Sequence, residues 1–294
     1  MAGGLDLVVV GAASRDVATG DPRGWRPGGA ATYCSLTAAR LGLRVGVLIG
    51  LDAEAIEGAG PELEMLAAAG VVVSVVPLYH GPVFENIERD GHRRQRWLSR
   101  SDSISPAALP AEWRDTAAWL LVPVAGELGE EWASTLPAGA AVGVGWQGML
   151  REFAAGGWVE RVPPRPSALL KAAGLVVASV DDFDKRVRFD VLRPLAPRAD
   201  IVLTAGEGGG MALCGARLVR YHSPKPDELV DATGAGDVFL ASLMVAWLMT
   251  GDVATPATLG FAAAAGSCAV EGAGLAGVPT RGQVVARLRA SRGG

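Results

Sequence analysis

Cysteine and histidine are scarce in this 294-residue chain. Its three cysteines, Cys34, Cys214 and Cys268, lie far apart and form no C-x-x-C. The odd count argues against a disulfide framework, and the spacing argues against a thiol metal site. The three histidines, His80, His92 and His222, are scattered and make no metal-spaced pair. Neither a Walker-type G-x-x-x-x-G-K nor a G-x-S-x-G nucleophile elbow occurs. The apolar run Val238 to Met249 is too short to cross a bilayer. The first ten residues carry no basic n-region, and Leu5 to Val10 is too short for a signal h-region, so a cytoplasmic protein is expected. Net charge is −4, and the densest basic segment, His92 to Arg96, is short and flanked by acids. Nucleic acid and anionic membrane are therefore not expected partners.

What is present is apolar mass and glycine. Half of the residues are hydrophobic and 20% are charged, enough for a substantial α/β core. Forty glycines make chance glycine motifs common. Two segments, Gly143 to Gly148 and Gly272 to Gly277, fit G-x-G-x-x-G. A dinucleotide fingerprint also needs a strand before, a helix after and an acid roughly 20 residues on. After Gly148 the stretch Pro163 to Lys171 holds no acid, and Trp146 would crowd a pyrophosphate. The second match follows a helical segment, so both are set aside.

Leu5 to Val10, Val45 to Ile49 and Val71 to Val76 read as buried strands, with helices over Ala30 to Leu41 and Leu63 to Ala69. This rhythm predicts a doubly wound, mostly parallel sheet flanked by helices. Pro82 to Ser99 breaks it with two mixed segments around Asp90-Gly91, a hairpin signal. The ribbon is either a lid or a decorative hairpin. Further strands are expected over Ala118 to Val122, Ala141 to Val144, Leu175 to Ala178 and Ile201 to Thr204, with a helix over Leu128 to Thr135. A hairpin over Met211 to Tyr221 follows, then helices over Val238 to Met249, Pro256 to Val270 and Gly282 to Arg289.

The stretch Asp231-Ala232-Thr233-Gly234-Ala235-Gly236-Asp237-Val238-Phe239 runs from a glycine turn straight into an apolar helix. Such a turn presents free N–H groups and a positive dipole end, which favour an anion. Asp237 in the first turn would repel that anion unless it takes a proton from an attacking hydroxyl. An ordinary capping aspartate is the other reading of the isolated motif.

The chain resembles the ribokinase (PfkB) family of sugar and nucleoside kinases along nearly its whole length. Asp231 to Asp237 resembles the C-terminal signature of that family, Gly28-Gly29-Ala30-Ala31 its N-terminal one, Gly50-Leu51-Asp52 its G-x-D, and Thr204 to Gly209 its nucleotide-side T-x-G-x-x-G. The resemblance implies one ribokinase-like domain over 1–294, with a small β lid from about 12–27 and 81–100. It implies Asp237 as the base, backbone N–H groups of Gly234, Ala235 and Gly236 as an anion hole, and ATP along Thr204, Gly206, Gly209, Thr233 and Gly236. It places Asp16, Gly28, Gly29 and Tyr33 on the substrate side, Asp231 at a monovalent-cation site for potassium, and Asp182 near Mg²⁺. There the usual N-x-x-E is replaced by S-x-x-D from Ser179 to Asp182.

Gly28-Gly29-Ala30-Ala31-Thr32-Tyr33, the lid exit Arg96 to Ile104 and Gln147-Gly148-Met149-Leu150-Arg151 resemble the myo-inositol kinase-like branch. Asn86, Arg96 and Gln147 are then candidates for hydroxyl recognition, each open to a plain structural role. The resemblance implies a small polyol or sugar as acceptor and a homodimer formed through the lid, where Val83, Phe84, Ile87, Trp97 and Leu98 supply apolar surface. Two other acceptors fit the same signature, a nucleoside or a sugar phosphate. A catalytically inactive polyol- or nucleotide-binding protein is the alternative of another class.

Overall fold

A computed structural model describes residues 4–89, 92–184 and 187–291 of the chain, without the side chains of Glu88, Arg89, His92 and Arg93. In chain order the elements are β1 (Leu7–Ala12), β2 (Arg15–Val17), β3 (Trp25–Pro27), α1 (Ala30–Arg40), β4 (Val45–Asp52), α2 (Ala53–Gly58), α3 (Gly60–Ala68), β5 (Val72–Leu78), β6 (Val83–Arg89), β7 (His92–Ser99) and β8 (Ala118–Leu121). They continue with α4 (Trp132–Thr135), β9 (Ala141–Gly145), β10 (Arg151–Phe153), β11 (Val159–Arg161), α5 (Ala168–Ala172), β12 (Leu175–Ser179), α6 (Phe189–Leu192), β13 (Asp200–Thr204), β14 (Gly210–Cys214), β15 (Arg217–Tyr221), α7 (Ala235–Thr250), α8 (Pro256–Ala269) and α9 (Arg281–Ala290).

Among the described residues, nine strands form one sheet in the order β15-β14-β13-β12-β9-β8-β1-β4-β5. It is parallel except for β14 and β15, which run antiparallel at one edge. β1 and β4 are buried along their whole length. Their near-continuous apolar runs suit a sheet covered on both faces. From β1 the chain winds outward through β4 and β5, then crosses back to β8 and on toward β13. The switch point lies between β1 and β8, where open α/β sheets bind ligands beyond the strand ends.

Glu127 stitches this switch point together. Its fully buried carboxylate accepts the N–H of Ala12 at the end of β1 (3.0 Å) and those of Val124 (3.0 and 3.1 Å) and Ala125 (2.8 Å) beyond β8. Burial pushes its carboxyl above the ordinary range, while these N–H groups pull it back. The expected helix from Leu128 is shorter, beginning only at Trp132, because the chain before it is spent on the Glu127 loop, with Gly126 left-handed at φ 79. Asp52 starts a helix that the sequence reading did not include, accepting the Ala55 N–H at 2.9 Å to cap α2.

A four-stranded sheet, β3-β2-β6-β7, stands beside the large one, and β10 and β11 pair as a separate hairpin. The expected ribbon is present as β6 and β7; Asp90 and Gly91 at its turn lie outside the described residues. α7 is buried at every position from Val238 to Ala246. A helix apolar all round must be packed on all sides, and α7 lies between α1, α8 and the sheet. The glycines of the first G-x-G-x-x-G match serve this packing. A Cβ on Gly143 would sit 2.7 Å from Leu120 and 3.2 Å from Met244, and one on Gly145 would sit 3.1 Å from Leu240. No helix of the described residues is long and apolar enough to cross a membrane.

Candidate active site

Gly234 caps α7 in the left-handed region, at φ 79 and ψ −3, and no side chain caps the turn. The first-turn N–H groups of a helix lack intrahelical partners, and the dipole is positive there. A Cβ on Gly234 would fall 2.3 Å from two carbons of the Tyr33 ring. Tyr33, on α1 and 2% exposed, is thus the floor beneath the turn. This differs from its expected place among the substrate ligands. The turn is fastened from the other side by Asp231, which accepts the N–H of Thr233 (2.9 Å) and of Gly274 (3.1 Å). Partial burial works against ionisation of Asp231, but those hydrogen bonds and the charge of Arg26 hold its carboxyl below the usual range. Each carboxylate oxygen of Asp231 accepts one of these bonds, so Asp231 fastens the turn.

Asp237 sits in the first turn of α7. Burial pushes its carboxyl up to about 7; the Arg151 guanidinium opposes this, while the charges of Asp182 and Asp16 add to it. A carboxyl titrating there is poised for general-base work near neutral pH. Asp237 is further bounded by α1: the Cys34 thiol donates to its carbonyl at 3.4 Å. The Tyr33 phenol is pushed up by burial, then by the charges of Asp237, Asp16 and Asp231.

Asp16 enters from β2 and accepts the Ser14 hydroxyl at 2.8 Å. The Gly28-Gly29 pair has separate reasons. A Cβ on Gly28 would lie 2.5 Å from an Asp16 oxygen, and one on Gly29 would lie 2.5 Å from the Ala12 carbonyl. Gly29 also has φ +88, a conformation that L side chains rarely adopt.

Asp182 is buried and uses both oxygens. It accepts the Ser179 N–H (2.8 Å) and the Gln147 amide (3.0 Å). S-x-x-D is therefore a capping box over the short turn Val180–Asp182. Each Asp182 oxygen accepts one of these bonds, and no cluster of three or more His, Cys, Asp or Glu occurs among the described residues. Gln147 is the partner of Asp182.

On the small sheet, Gln95 donates to Asn86 at 3.0 Å and Arg96 pairs with Glu85 at 3.4 Å. Both expected recognition residues are thus cross-strand fasteners. Phe84 and Trp97, expected as dimer surface, are covered by Phe153, with ring centroids 6.2 and 5.9 Å away. Leu98 remains half-exposed.

Beyond β13, Gly206 (φ 54) and Gly209 (φ 82) close a tight turn in which Ala205 donates to the Gly209 carbonyl at 2.7 Å. A Cβ on Gly209 would lie 2.1 Å from the Tyr221 carbonyl. Thr204 at the strand end faces the Ala178 carbonyl at 3.5 Å. Sequence reasoning did not single out Glu127 or Ser14. Ala12, the partner of Glu127, is brought to it by folding across 115 positions, whereas Asp16 lies two residues from Ser14; only an acid beside a strand end hinted at Glu127.

The pfkB family carbohydrate kinase model matches residues 193–281, which include the Gly206–Gly209 turn, Asp231 and the α7 turn. No curated protein sequence matches the chain. Among solved structures, one similar chain is a pyrophosphate-dependent kinase in the ribokinase family, complexed with a pyrophosphate analog and myo-inositol: TM-score 0.76, 19% identity, 95% of this chain and 99% of that one. Another is fructokinase with bound ATP from Xylella fastidiosa: TM-score 0.74, 19% identity, 98% and 99% covered. A third is Arabidopsis thaliana ribokinase complexed with ribose and ATP: TM-score 0.67, 19% identity, 97% and 99% covered. The chain therefore has the fold of ribokinase, and its residues 193–281 match the pfkB family carbohydrate kinase model.

Proposed function

We propose that the protein is a kinase that transfers the terminal phosphoryl group of ATP to a hydroxyl of a small polyol or sugar. The observation that carries this reading is the place of Asp237: a carboxylate in the first turn of a buried helix, directly behind a left-handed glycine turn, where burial pushes it up to about 7. The acceptor oxygen attacks the terminal phosphorus, its proton passes to the Asp237 carboxylate, and the bond from that phosphorus to the bridging oxygen breaks, releasing ADP. Charge on the oxygens in flight is met by the N–H groups of Gly234, Ala235 and Gly236 at the positive end of α7. Mg²⁺ supplies charge neutralisation when it arrives on the donor's phosphates.

On the acceptor side, Asp16 lies at the end of the same carboxylate group and is suited to accept polyol hydroxyls, with the β3-β2-β6-β7 sheet as lid. The basic lid strand, with Arg94 and Arg96, fits a hydroxyl-rich acceptor better than a stacked nucleoside base. The myo-inositol complex of a structural neighbour supports an inositol-like acceptor. The same neighbour motivates a second donor reading, pyrophosphate, in which the leaving group is phosphate.

The test is product release with ATP or pyrophosphate against a panel of inositols, hexoses, pentoses and nucleosides, with Asp237→Asn alongside. A polyol or sugar turned over by the wild type and not by the variant is the expected result. If no acceptor is turned over with either donor, yet a polyol raises the melting temperature, the protein is a binding protein. If only nucleosides respond, the polyol assignment falls.

A further inference from the structure

The β10–β11 hairpin links two places that the reading above treats separately. Its root is built into the active site. Gln147, just before it, bonds to Asp182. A Cβ on Gly148 would lie 2.0 Å from the Pro123 carbonyl, so the chain is pressed onto the segment after β8. Leu150 is fully buried, and its carbonyl accepts the Val162 N–H at 2.9 Å. Arg151 comes next, and its charge acts on Asp237.

The far end of the hairpin is docked on the small sheet. The Trp97 N–H donates to Gly157 at 2.9 Å, and its indole N–H donates to Ala154 at 3.2 Å. Arg100 donates to the Phe153 carbonyl at 2.6 Å. Arg96 bridges to Trp158, and Arg94 stacks over the Trp158 ring at 3.9 Å. Phe153 lies against Trp97 and stacks on Phe84, which pairs with Asp16 in the β2–β6 ladder.

We propose that residues 151–161 form a strap that couples the lid to catalysis: its tip grips the lid, and its root sets Arg151 as a positioning residue for the general base Asp237. The inference rests on the kinase reading. The groups whose charge or polarity is coupled to Asp237 are Tyr33 and Cys34 from α1, Asp16 from β2, Asp182 from the turn after β12, and Arg151 from β10. Arg151 is the cation among them. The opposite charge of Arg151 favours the carboxylate, and the like charges of Asp16 and Asp182 oppose it. Lid opening carries the strap tip away and weakens that support, so the base is fully ionised only under a closed lid.

The test compares Arg151→Met, Arg151→Lys and the tip variants Phe153→Leu and Trp158→Ala, with the half-exposed Leu98→Ala as a control. Two readouts are used: the pH profile of kcat/KM for the acceptor, and the titration of the Asp237 carboxyl by carbon-detected NMR. Arg151→Met is expected to raise both midpoints by about 1 pH unit, and Arg151→Lys to restore them. The tip variants are expected to raise the acceptor KM roughly two- to tenfold, the worth of an aromatic pair, and to shift both midpoints in the same direction. Leu98→Ala is expected to change neither.

An unmoved Asp237 titration in Arg151→Met overturns the positioning role. Tip variants with wild-type KM and midpoints overturn the coupling. If the wild type phosphorylates no acceptor, the kinase reading fails, and the NMR titration still decides the role of Arg151.

Discussion

Replacing Gly234 by alanine isolates how the helix turn is held. Two costs follow from its geometry. At φ 79 an alanine pays the left-handed penalty, on the order of 1–2 kcal/mol. Its Cβ also meets the Tyr33 ring at 2.3 Å, and Tyr33 is buried, so the ring or the turn must move. Overpacking of this kind costs about 1–3 kcal/mol. Gly234→Ala should therefore lose about 2–5 kcal/mol in urea unfolding at constant pH and temperature.

The two costs separate in a double-mutant cycle. Tyr33→Ala alone opens a cavity and should cost about 3–5 kcal/mol, as large aromatic truncations do. In that background the clash is gone and only the backbone term remains, so Gly234→Ala should cost about 1–2 kcal/mol. The coupling energy is the difference, about 1–3 kcal/mol. Equal costs in the two backgrounds would refute the idea that Tyr33 confines the turn.

Asp237→Asn should lower kcat by ~10²–10⁴, measured by product release, without loss of melting temperature. Since burial raises the folded-state pKa of Asp237 to about 7, kcat/KM should rise with pH through that value and level off above it. For stability the sign is opposite: the folded state keeps a proton that the unfolded chain releases, so this contribution is present at acid pH and lost as pH rises through about 7. Asp237→Asn should flatten that part of the stability–pH curve. Glu127→Gln turns an acceptor oxygen into a donor facing backbone N–H groups and should cost about 1–3 kcal/mol in chemical unfolding; wild-type stability in that variant would remove Glu127 as the stitch of the switch point. Asp182→Ala strands the Ser179 N–H and the Gln147 amide, and should raise the acceptor KM together with a loss of about 1–3 kcal/mol.

The parts of the fold that sequence reasoning reached are those whose signal is local. The runs in β1, β4, β12 and β13 are apolar and bounded by glycine or polar residues, so burial on both faces was legible. The turn before α7 was legible for the same reason: glycines, acid and helix are contiguous. β2, β3, β10 and β11 are three residues each and polar in part. Nothing within such segments favours a strand over a loop; they become strands because Asp16 pairs with Phe84 and Trp97 docks on Gly157.

Side-chain roles divided along the same line. Asp237 and Gly234 follow from their own neighbours in sequence. Tyr33, Asn86, Arg96, Gln147 and Asp182 have partners up to 201 positions away, such as Gly234 above the Tyr33 ring. Several residues expected as ligands also hold hydrogen bonds within the fold, because a polar group near a site satisfies its hydrogen bonds with whatever the fold brings closest.

The burial of α7 around its full circumference has a consequence for how the molecule opens. Its amides from Val238 to Ala246 have no route to solvent short of separating α1, α8 and the sheet. They should exchange with deuterium at the rate of global unfolding. The strands β6 and β7 lie in a small four-stranded sheet outside the large one and should exchange through small local openings instead. Two exchange clocks in one chain would mean that the phosphoryl-transfer end stays fixed over hours while the acceptor end samples open forms many times between turnovers.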